Sequence, residues 1–328
     1  MTRRVLVTGG AGFIGSTVAD LFLNEGWAVD IIDNLSSGKR RNLPAAATFH
    51  EIDIRSEETA KLIASTPFDA IVHLAAQIDV RKSVDDPRED ASINIIGTLN
   101  ILEALRKNGR GPKTRVAFSS TGGAIYGDLV TPPNREVTPK DPDSPYAIAK
   151  LSVEHFLAYY RRVHKFDTVA VRFGNVYGPR QDPHGEAGVI AIFCGRILAG
   201  RPLTIFGDGT ATRDYVHVAD VAAAIFRVAT GPLPGGTVLD DRAYNVGTGV
   251  ATSVNDVARL LLETSGASVP IEHAPPRPGE LQDSSLAIEK AEKELRWTPK
   301  MSIAEGLADT YRWSQSLAAE PAGAAGKH

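Results

Sequence analysis

The chain has 328 residues, 43% hydrophobic and 23% charged, with a formal net charge of −3. That length and balance suit one large α/β unit, or a nucleotide-binding domain with a smaller partner, and exclude a strongly basic nucleic-acid binder. The lone cysteine, Cys194, cannot form an internal disulfide; its apolar surroundings suit a buried inert thiol and a reducing cytosol.

At the N-terminus a basic start leads into Val5-Leu6-Val7, too short an apolar run for a signal peptide, and no later run approaches a membrane span. Near-continuous apolar runs at 5–7, 28–33, 70–74, 115–119 and 169–173 predict strands buried on both faces. Amphipathic stretches at 13–25, 57–65, 90–108 and 146–164 predict helices between them. Strand and helix in alternation give a doubly wound parallel α/β sheet of Rossmann type. The basic cluster Lys39-Arg40-Arg41 is read as a solvated loop. After residue 178 the rhythm breaks in a Gly- and Pro-rich segment, 179–214. A helix at 218–229, a strand at 244–246 and helices at 254–264, 286–295 and 303–314 follow. The expected division is a cofactor-binding domain of residues 1–178 with about 215–247, and a smaller, discontinuous α/β lobe of 179–214 and 248–316. Residues 317–328, rich in Ala and Gly, are expected to fray. No internal repeat is present.

Residues 8–15, TGGAGFIG, link the first strand to the first helix. Gly9 and Gly12 permit a tight turn and close approach of backbone to a pyrophosphate, and Gly15 lets the helix pack close to the sheet. The helix N-terminus offers free N–H groups to that anion. Asp33 ends the second strand, 18 residues after Gly15, where a carboxylate can hold ribose hydroxyls and repel a 2′-phosphate, favouring NAD over NADP. Lys39 and Arg40 keep NADP open.

Tyr146 and Lys150 stand four apart on one predicted helix and share a face. A free phenol is a poor base near neutrality, but a nearby ammonium and a cationic ring favour its ionised form. Tyr146 is therefore a candidate general base. Thr121 follows the 115–119 strand, at the sheet edge where such folds place their sites.

These residues resemble the extended short-chain dehydrogenases/reductases, and among them the UDP-galactose (UDP-glucose) 4-epimerases, over about residues 4 to 313. The resemblance implies a cofactor set of Gly9, Gly12, Phe13, Ile14 and Gly15 in the loop and Asp33, Asn34, Ser36 and Gly38 after the second strand. Asp53 and Ile54 are similar to the adenine contact, and Leu74, Ala75, Ala76 and Gln77 to the fourth-strand segment; Asn94 and Ser119 complete the set. Thr121, Tyr146 and Lys150 resemble the catalytic residues. By that resemblance Tyr146 takes the proton of the sugar 4-hydroxyl while NAD takes hydride from carbon 4; the 4-keto sugar rotates and hydride returns to its other face.

The second lobe carries segments similar to those that hold a UDP-sugar: Asn175 in RFGNVYGPR, Val189, Thr204 and Phe206, Arg213 in RDYVH, and Arg277 with Glu280 in RPGE. Guanidinium forks match diphosphate oxygens. Related dehydratases carry acids after the catalytic Ser/Thr, whereas Gly122 and Gly123 follow Thr121, which argues for an isomerase. Ala287 stands where relatives have a capping Asp, with Ser284 or Ser285 as substitutes. Seven residues after Arg277, family members carry a residue that gates sugar size, and here it is Ser284. A serine is expected to admit UDP-GlcNAc/UDP-GalNAc as well as UDP-glucose/UDP-galactose. The resemblance also implies a homodimer joined through helices 90–108 and 146–164; the single cysteine points to the cytoplasm, the charge balance to no nucleic-acid or membrane partner, and no metal is expected. An epimerase or reductase acting on another nucleotide sugar, and a non-catalytic NAD-binding protein, are the alternatives.

Overall fold

The computed structural model describes residues 2–183, 188–276 and 281–319. Its first half alternates strand and helix: β1 (Arg4–Thr8), α1 (Phe13–Asn24), β2 (Ala28–Asp33), β3 (Thr48–Glu51), α2 (Glu57–Ser65) and β4 (Ala70–His73). Then come α3 (Val80–Asp85), α4 (Pro87–Ala91), a π-helical turn (Ser92–Ile96), α5 (Gly97–Lys107), β5 (Arg115–Thr121), α6 (Pro145–His164) and β6 (Asp167–Phe173). The rest comprises β7 (Asn175–Tyr177), α7 (Val189–Leu198), β8 (Leu203–Phe206), β9 (Thr212–His217), α8 (Val218–Thr230), β10 (Ala243–Val246), β11 (Ala251–Ser253), α9 (Val254–Ser265), β12 (Ile271–Ala274) and α10 (Ile303–Ala319).

Seven parallel strands form the main sheet in the order β10-β6-β5-β4-β1-β2-β3. Chain order reverses between β1 and β4, so a crevice opens beyond their C-terminal ends. Side chains alternate between two cores, as a strand's two-residue period requires. Val5, Val7, Val29, Ile31 and Val72 face one core with Phe22 of α1 and Ile225 of α8. Leu6, Ile32, Ile71 and Phe118 face the other with Ile101 of α5 and Leu157 of α6. Burial on both sides explains the unbroken apolar runs. A third core joins α7, α9 and α10 with β8, through Phe193, Leu261, Leu307 and Ile205.

Several elements depart from expectation. The expected helix at 90–108 starts earlier, where Asp86 caps α4 by accepting from Glu89 N at 3.1 Å and Pro87 occupies the first turn; the π-helical turn then interrupts it. The expected helix at 286–295 is shorter. Leu286 instead bridges Asn134 in strand-like pairing and is fully buried beside Ile125 and Tyr126. Helical residues begin at Glu289, so Ala287 is no cap position: its N–H donates to Asn134 O at 2.9 Å. The C-terminal helix runs on through Ala319, so residues 317–319 are not frayed. On the helices spanning 90–108 and 146–164, Leu102 and Tyr160 are buried in the core, whereas Ile96 is exposed.

Candidate active site

The glycine loop is shaped by what its residues lack. Gly9 has φ +70°, and a Cβ there would lie 2.7 Å from Ala75 N. At Gly15 a Cβ would lie 2.1 Å from Gly9 O, so only glycine lets α1 start this close to the turn. Gly12 differs: its Cβ would meet only Gly9 O, at 3.1 Å, leaving its other side open. Gly12 is also the N-cap of α1, with no side chain capping it and no acid in the first turn. The first-turn residues Phe13, Ile14 and Gly15 therefore present a positive helix end to the crevice.

Asp33 is 8% exposed. It accepts from Ala11 N at 3.0 Å and Leu35 N at 2.8 Å. Burial raises its pKa and the two backbone bonds oppose that. Each carboxylate oxygen keeps a second lone pair for a hydroxyl. A Cβ on Gly38 would strike both Asp33 oxygens, at 2.8 and 2.9 Å, so glycine lets this loop cross the carboxylate. Lys39 N and Asn42 Nδ2 donate to Ala11 O at 2.9 and 3.0 Å, tying this loop to the glycine turn. The two cations that left NADP open are engaged elsewhere: Lys39 pairs with Asp182 at 3.2 Å and Arg40 with Glu51. Asn34 Nδ2 donates to Asp53 at 3.1 Å and its oxygen accepts from Ser36 N at 3.1 Å. Arg55 donates to Asp53 through Nε and Nη2 at 3.0 and 2.9 Å, which lowers the Asp53 pKa. Ile54 packs in the second core, against Gly97. These features fit a dinucleotide with an unphosphorylated ribose.

A buried relay joins the turns after β1 and β4. Thr98 donates its one hydroxyl proton to Asn94 O at 2.6 Å. Its oxygen, 2.9 Å from His73 Nε2, must then accept from that nitrogen. His73 Nδ1 is left to accept from the Thr8 hydroxyl at 2.7 Å. Thr8 Oγ1 in turn accepts from Leu74 N and Ala75 N, both at 3.2 Å. Burial, with Lys150 nearby, holds the His73 pKa down to about 3, so the ring is neutral. Next along, Ala76 leads to Gln77, whose N–H and C=O are clamped by the Asn94 amide at 3.0 Å each.

Ser144 caps α6 by accepting from Ala147 N at 3.2 Å, and Pro145 occupies its first turn. This sets Tyr146 and Lys150 one turn apart. Lys150 Nζ donates to Ser119 O at 2.9 Å, lies 4.8 Å from the Phe118 ring centre and 5.8 Å from that of Tyr146. Burial lowers the Lys150 pKa to about 8, with Asp90 opposing. Burial and then Asp90 push the half-buried Tyr146 phenol up. Ser119 and Thr121 share one face of β5 by its two-residue period. Gly122 N donates to Phe173 O at 2.8 Å, holding the end of β5 to β6. A Cβ on Gly123 would sit 3.6 Å from Asn175 Oδ1, so Asn175 of β7 adjoins the segment after Thr121.

Farther out, Val189 opens α7 behind Gly188. Thr204 Oγ1 accepts from Arg196 at 2.5 Å, and Phe206 ends β8 with its ring exposed. Arg213 Nη1 donates to Thr212 O at 2.7 Å. Ser284 is 5% exposed and its N–H donates to Thr212 O at 3.2 Å. Arg277 and Glu280 lie outside the described residues. The sequence reading missed a pin for this lobe, Asp214, 1% exposed. It accepts from Thr248 N and Oγ1 at 2.6 and 2.7 Å, Gly249 N at 3.0 Å and Leu286 N at 3.2 Å. His73 and Asp90 were missed too. Asp214 and His73 have partners distant in sequence, so no local spacing marks them; Asp90 bonds Asn94 four residues on, but no titratable residue stands there to mark it.

Among the described residues no cluster of His, Cys, Asp or Glu could hold a metal, and no helix is long and apolar enough to cross a membrane. The family model described as GDP-mannose 4,6 dehydratase matches residues 6–310. A protein of Mycolicibacterium smegmatis named UDP-glucose 4-epimerase is 45% identical, over 94% of this chain and 97% of the relative. A crystal structure of UDP-glucose 4-epimerase with UDP-glucose, from Thermotoga maritima, superposes with a TM-score of 0.90 at 43% identity, covering 96% of this chain and 99% of that one. The Thermus thermophilus UDP-glucose 4-epimerase, in complex with NAD, gives 0.86 at 42% identity, covering 95% and 99%. Glycine turn, buried Asp33, Tyr146–Lys150 pair and near-full-length similarity agree: the chain belongs to the extended short-chain dehydrogenase/reductase family, alongside the UDP-glucose 4-epimerases.

Proposed function

We propose that the chain catalyses NAD-dependent 4-epimerisation of a UDP-hexose. The observation that carries this is the Tyr146–Lys150 pair on α6, with Lys150 bonded to Ser119 O, at the same sheet edge as a dinucleotide-shaped glycine turn. NAD, when bound, supplies the acceptor and donor of hydride at carbon 4. Gly9, Gly12 and the α1 N-terminus hold its pyrophosphate, and Asp33 its ribose. Tyr146 takes the 4-hydroxyl proton, and Thr121 shares that proton from β5. Burial disfavours the phenolate, and the nicotinamide cation of bound NAD, joining the Lys150 ammonium, would offset that. Asn175, Phe206, Arg213, Arg277 and Glu280 hold the nucleotide sugar. Gly122 and Gly123 put no acid beside the sugar, which supports epimerisation over dehydration. The test is release of NAD from the purified, denatured protein, with conversion of UDP-galactose to UDP-glucose. Tyr146→Phe should keep NAD and lose about 10³-fold in turnover; turnover within tenfold of the parent removes Tyr146 from the base role.

Ser284 supports acceptance of UDP-GlcNAc/UDP-GalNAc too, since a serine leaves room an aromatic ring would fill. Parent enzyme that converts UDP-galactose and leaves UDP-N-acetylgalactosamine untouched removes Ser284 as the gate; Ser284→Tyr should suppress only the N-acetylated pair. For assembly, the exposed Ile96, Ile148, Tyr159 and Val163 beside α5 and on α6 support a homodimer through these helices. Light scattering that finds a monomer at micromolar concentration contradicts it. A cytoplasmic location is supported by the lone buried Cys194, and a fluorescent fusion found outside the cytosol overturns it.

A further inference from the structure

Asp90 is a buried carboxylate that the reaction just described does not use. It lies on α4, which packs against α6, the helix of Tyr146 and Lys150. The residue is 1% exposed. Its Oδ1 accepts from Gln77 Nε2 at 2.9 Å and Asn94 Nδ2 at 3.0 Å. Its Oδ2 is buried with no hydrogen-bond partner among the described residues.

A carboxylate is an acceptor only, and that decides how both amides are turned. With its NH₂ drawn to Asp90, Asn94 must turn its oxygen to Gln77 N, 3.0 Å away. By the same logic Gln77 turns Oε1 to Asp79 N, at 2.6 Å. One anion thus orders the segment that follows β4. Holding a charge out of water is costly unless another charge compensates it. A buried cation on the packed helix α6 is the Lys150 ammonium, whose hydrogen bond goes to a neutral carbonyl.

We infer that Asp90 is a positioning residue of the reaction: a fixed buried anion that sets the charge balance around Tyr146 and Lys150 while pinning Gln77 and Asn94. The inference rests on the proposed role of Tyr146 as base. Other titratable groups on the surrounding elements are committed or solvated. Glu154 of α6 is bound to Arg172 at 2.6 Å, and His73 of β4 is neutral. Arg81, Lys82 and Asp85 of α3, and Arg88 and Glu89 of α4, are exposed. Asp90 opposes phenolate formation at Tyr146 and favours the ammonium at Lys150. Removing its charge should ease deprotonation of both groups, so both titrations move to lower pH.

Asp90→Asn tests this, because it keeps an acceptor for Gln77 and Asn94 and deletes the charge. The ultraviolet absorbance of tyrosinate is titrated in the NAD-loaded protein, with Tyr146→Phe as the blank, and kcat is followed against pH. The expected result is a Tyr146 titration lower by about one pH unit, with both limbs of the kcat profile moved the same way and NAD content within about twofold of the parent. Asp90→Ala should move the titration equally and also shed NAD, since it loses the pins; either variant that folds suffices. A titration superimposed on the parent's overturns the inference and leaves Asp90 a structural pin. The absorbance readout stands even if UDP-galactose is not turned over, so failure of the substrate assignment and of this inference are distinguishable.

Discussion

The cofactor crevice and the substrate lobe achieve close packing by opposite means. Around Gly9 and Gly15, backbone approaches backbone because side chains are absent, and a single methyl would sit 2.1 to 2.7 Å from main-chain atoms. Around Asp214, separate loops are gathered by one side chain that takes four hydrogen bonds. The first kind of construction is fixed by main-chain contact, from Gly15 to Gly9 and from Gly9 to Ala75. The second is assembled from segments far apart in sequence and depends on the state of one carboxylate. Under the proposed function, a crevice for a constant cofactor is built from exclusion, whereas a lobe for a particular sugar is built from adjustable polar ties.

The sharpest way to break this contrast is Gly15→Ala. Its methyl meets Gly9 O, which cannot swing aside, so about 3 kcal/mol of stability should be lost together with NAD retention. Gly12→Ala should keep the melting temperature and lose NAD alone, because its methyl meets little protein. Equal destabilisation by both, in paired melting curves, would mean the loop is not packed by exclusion. Next is Asp214→Asn, whose amide would turn donors toward two N–H groups. We expect a loss of about 2 kcal/mol and a raised KM for the nucleotide sugar with NAD content unchanged; NAD loss would show that the two regions are not separate. Asp33→Ala should cost about tenfold in NAD affinity, on the order of 1.4 kcal/mol, and narrow the preference over NADP. An unchanged preference in cofactor titration of the apo-protein removes Asp33 as the discriminator. The smallest effect is expected for Lys39→Ala. It deletes a half-exposed pair with Asp182, so stability should change by less than about 0.5 kcal/mol and cofactor preference not at all; a fall in NADP affinity would return Lys39 to the cofactor site.

The same contrast explains what could be read before the structure. The parallel strands 5–7, 28–33, 70–74, 115–119 and 169–173 were legible because burial on two faces writes an unbroken apolar run. The edge strand β3 was not: Thr48 and Glu51 are exposed and Phe49 and His50 half-buried, which leaves no such run. Helix α3 spans six residues with one buried, Ser83, too short for a 3.6-residue period to register. Leu286 looked helical because apolar residues follow at helical spacing, but its partners, Asn134 and Gly122, lie over 150 residues away. At the candidate site, the residues proposed from sequence were those with a local pattern: the glycines, the acid ending β2, Tyr146 with Lys150. Residues defined by distant partners were not, and Asp214 and His73 belong to that class.

The Thr8–His73–Thr98 relay has a consequence for where protons can travel. Its hydrogen bonds all run one way, from Thr8 through the imidazole to Thr98 and on to Asn94 O. Amide N–H groups feed its first oxygen and an amide carbonyl terminates it; neither exchanges a proton readily near neutrality. With the imidazole pKa held near 3, there is no charged relay state to populate. The chain is therefore an insulator: it transmits orientation between two turns of the crevice but conducts no proton. Under the proposed role of Tyr146, a proton taken from the sugar has no exit by this path, and isotope from solvent water should not enter the Tyr146 phenol through it.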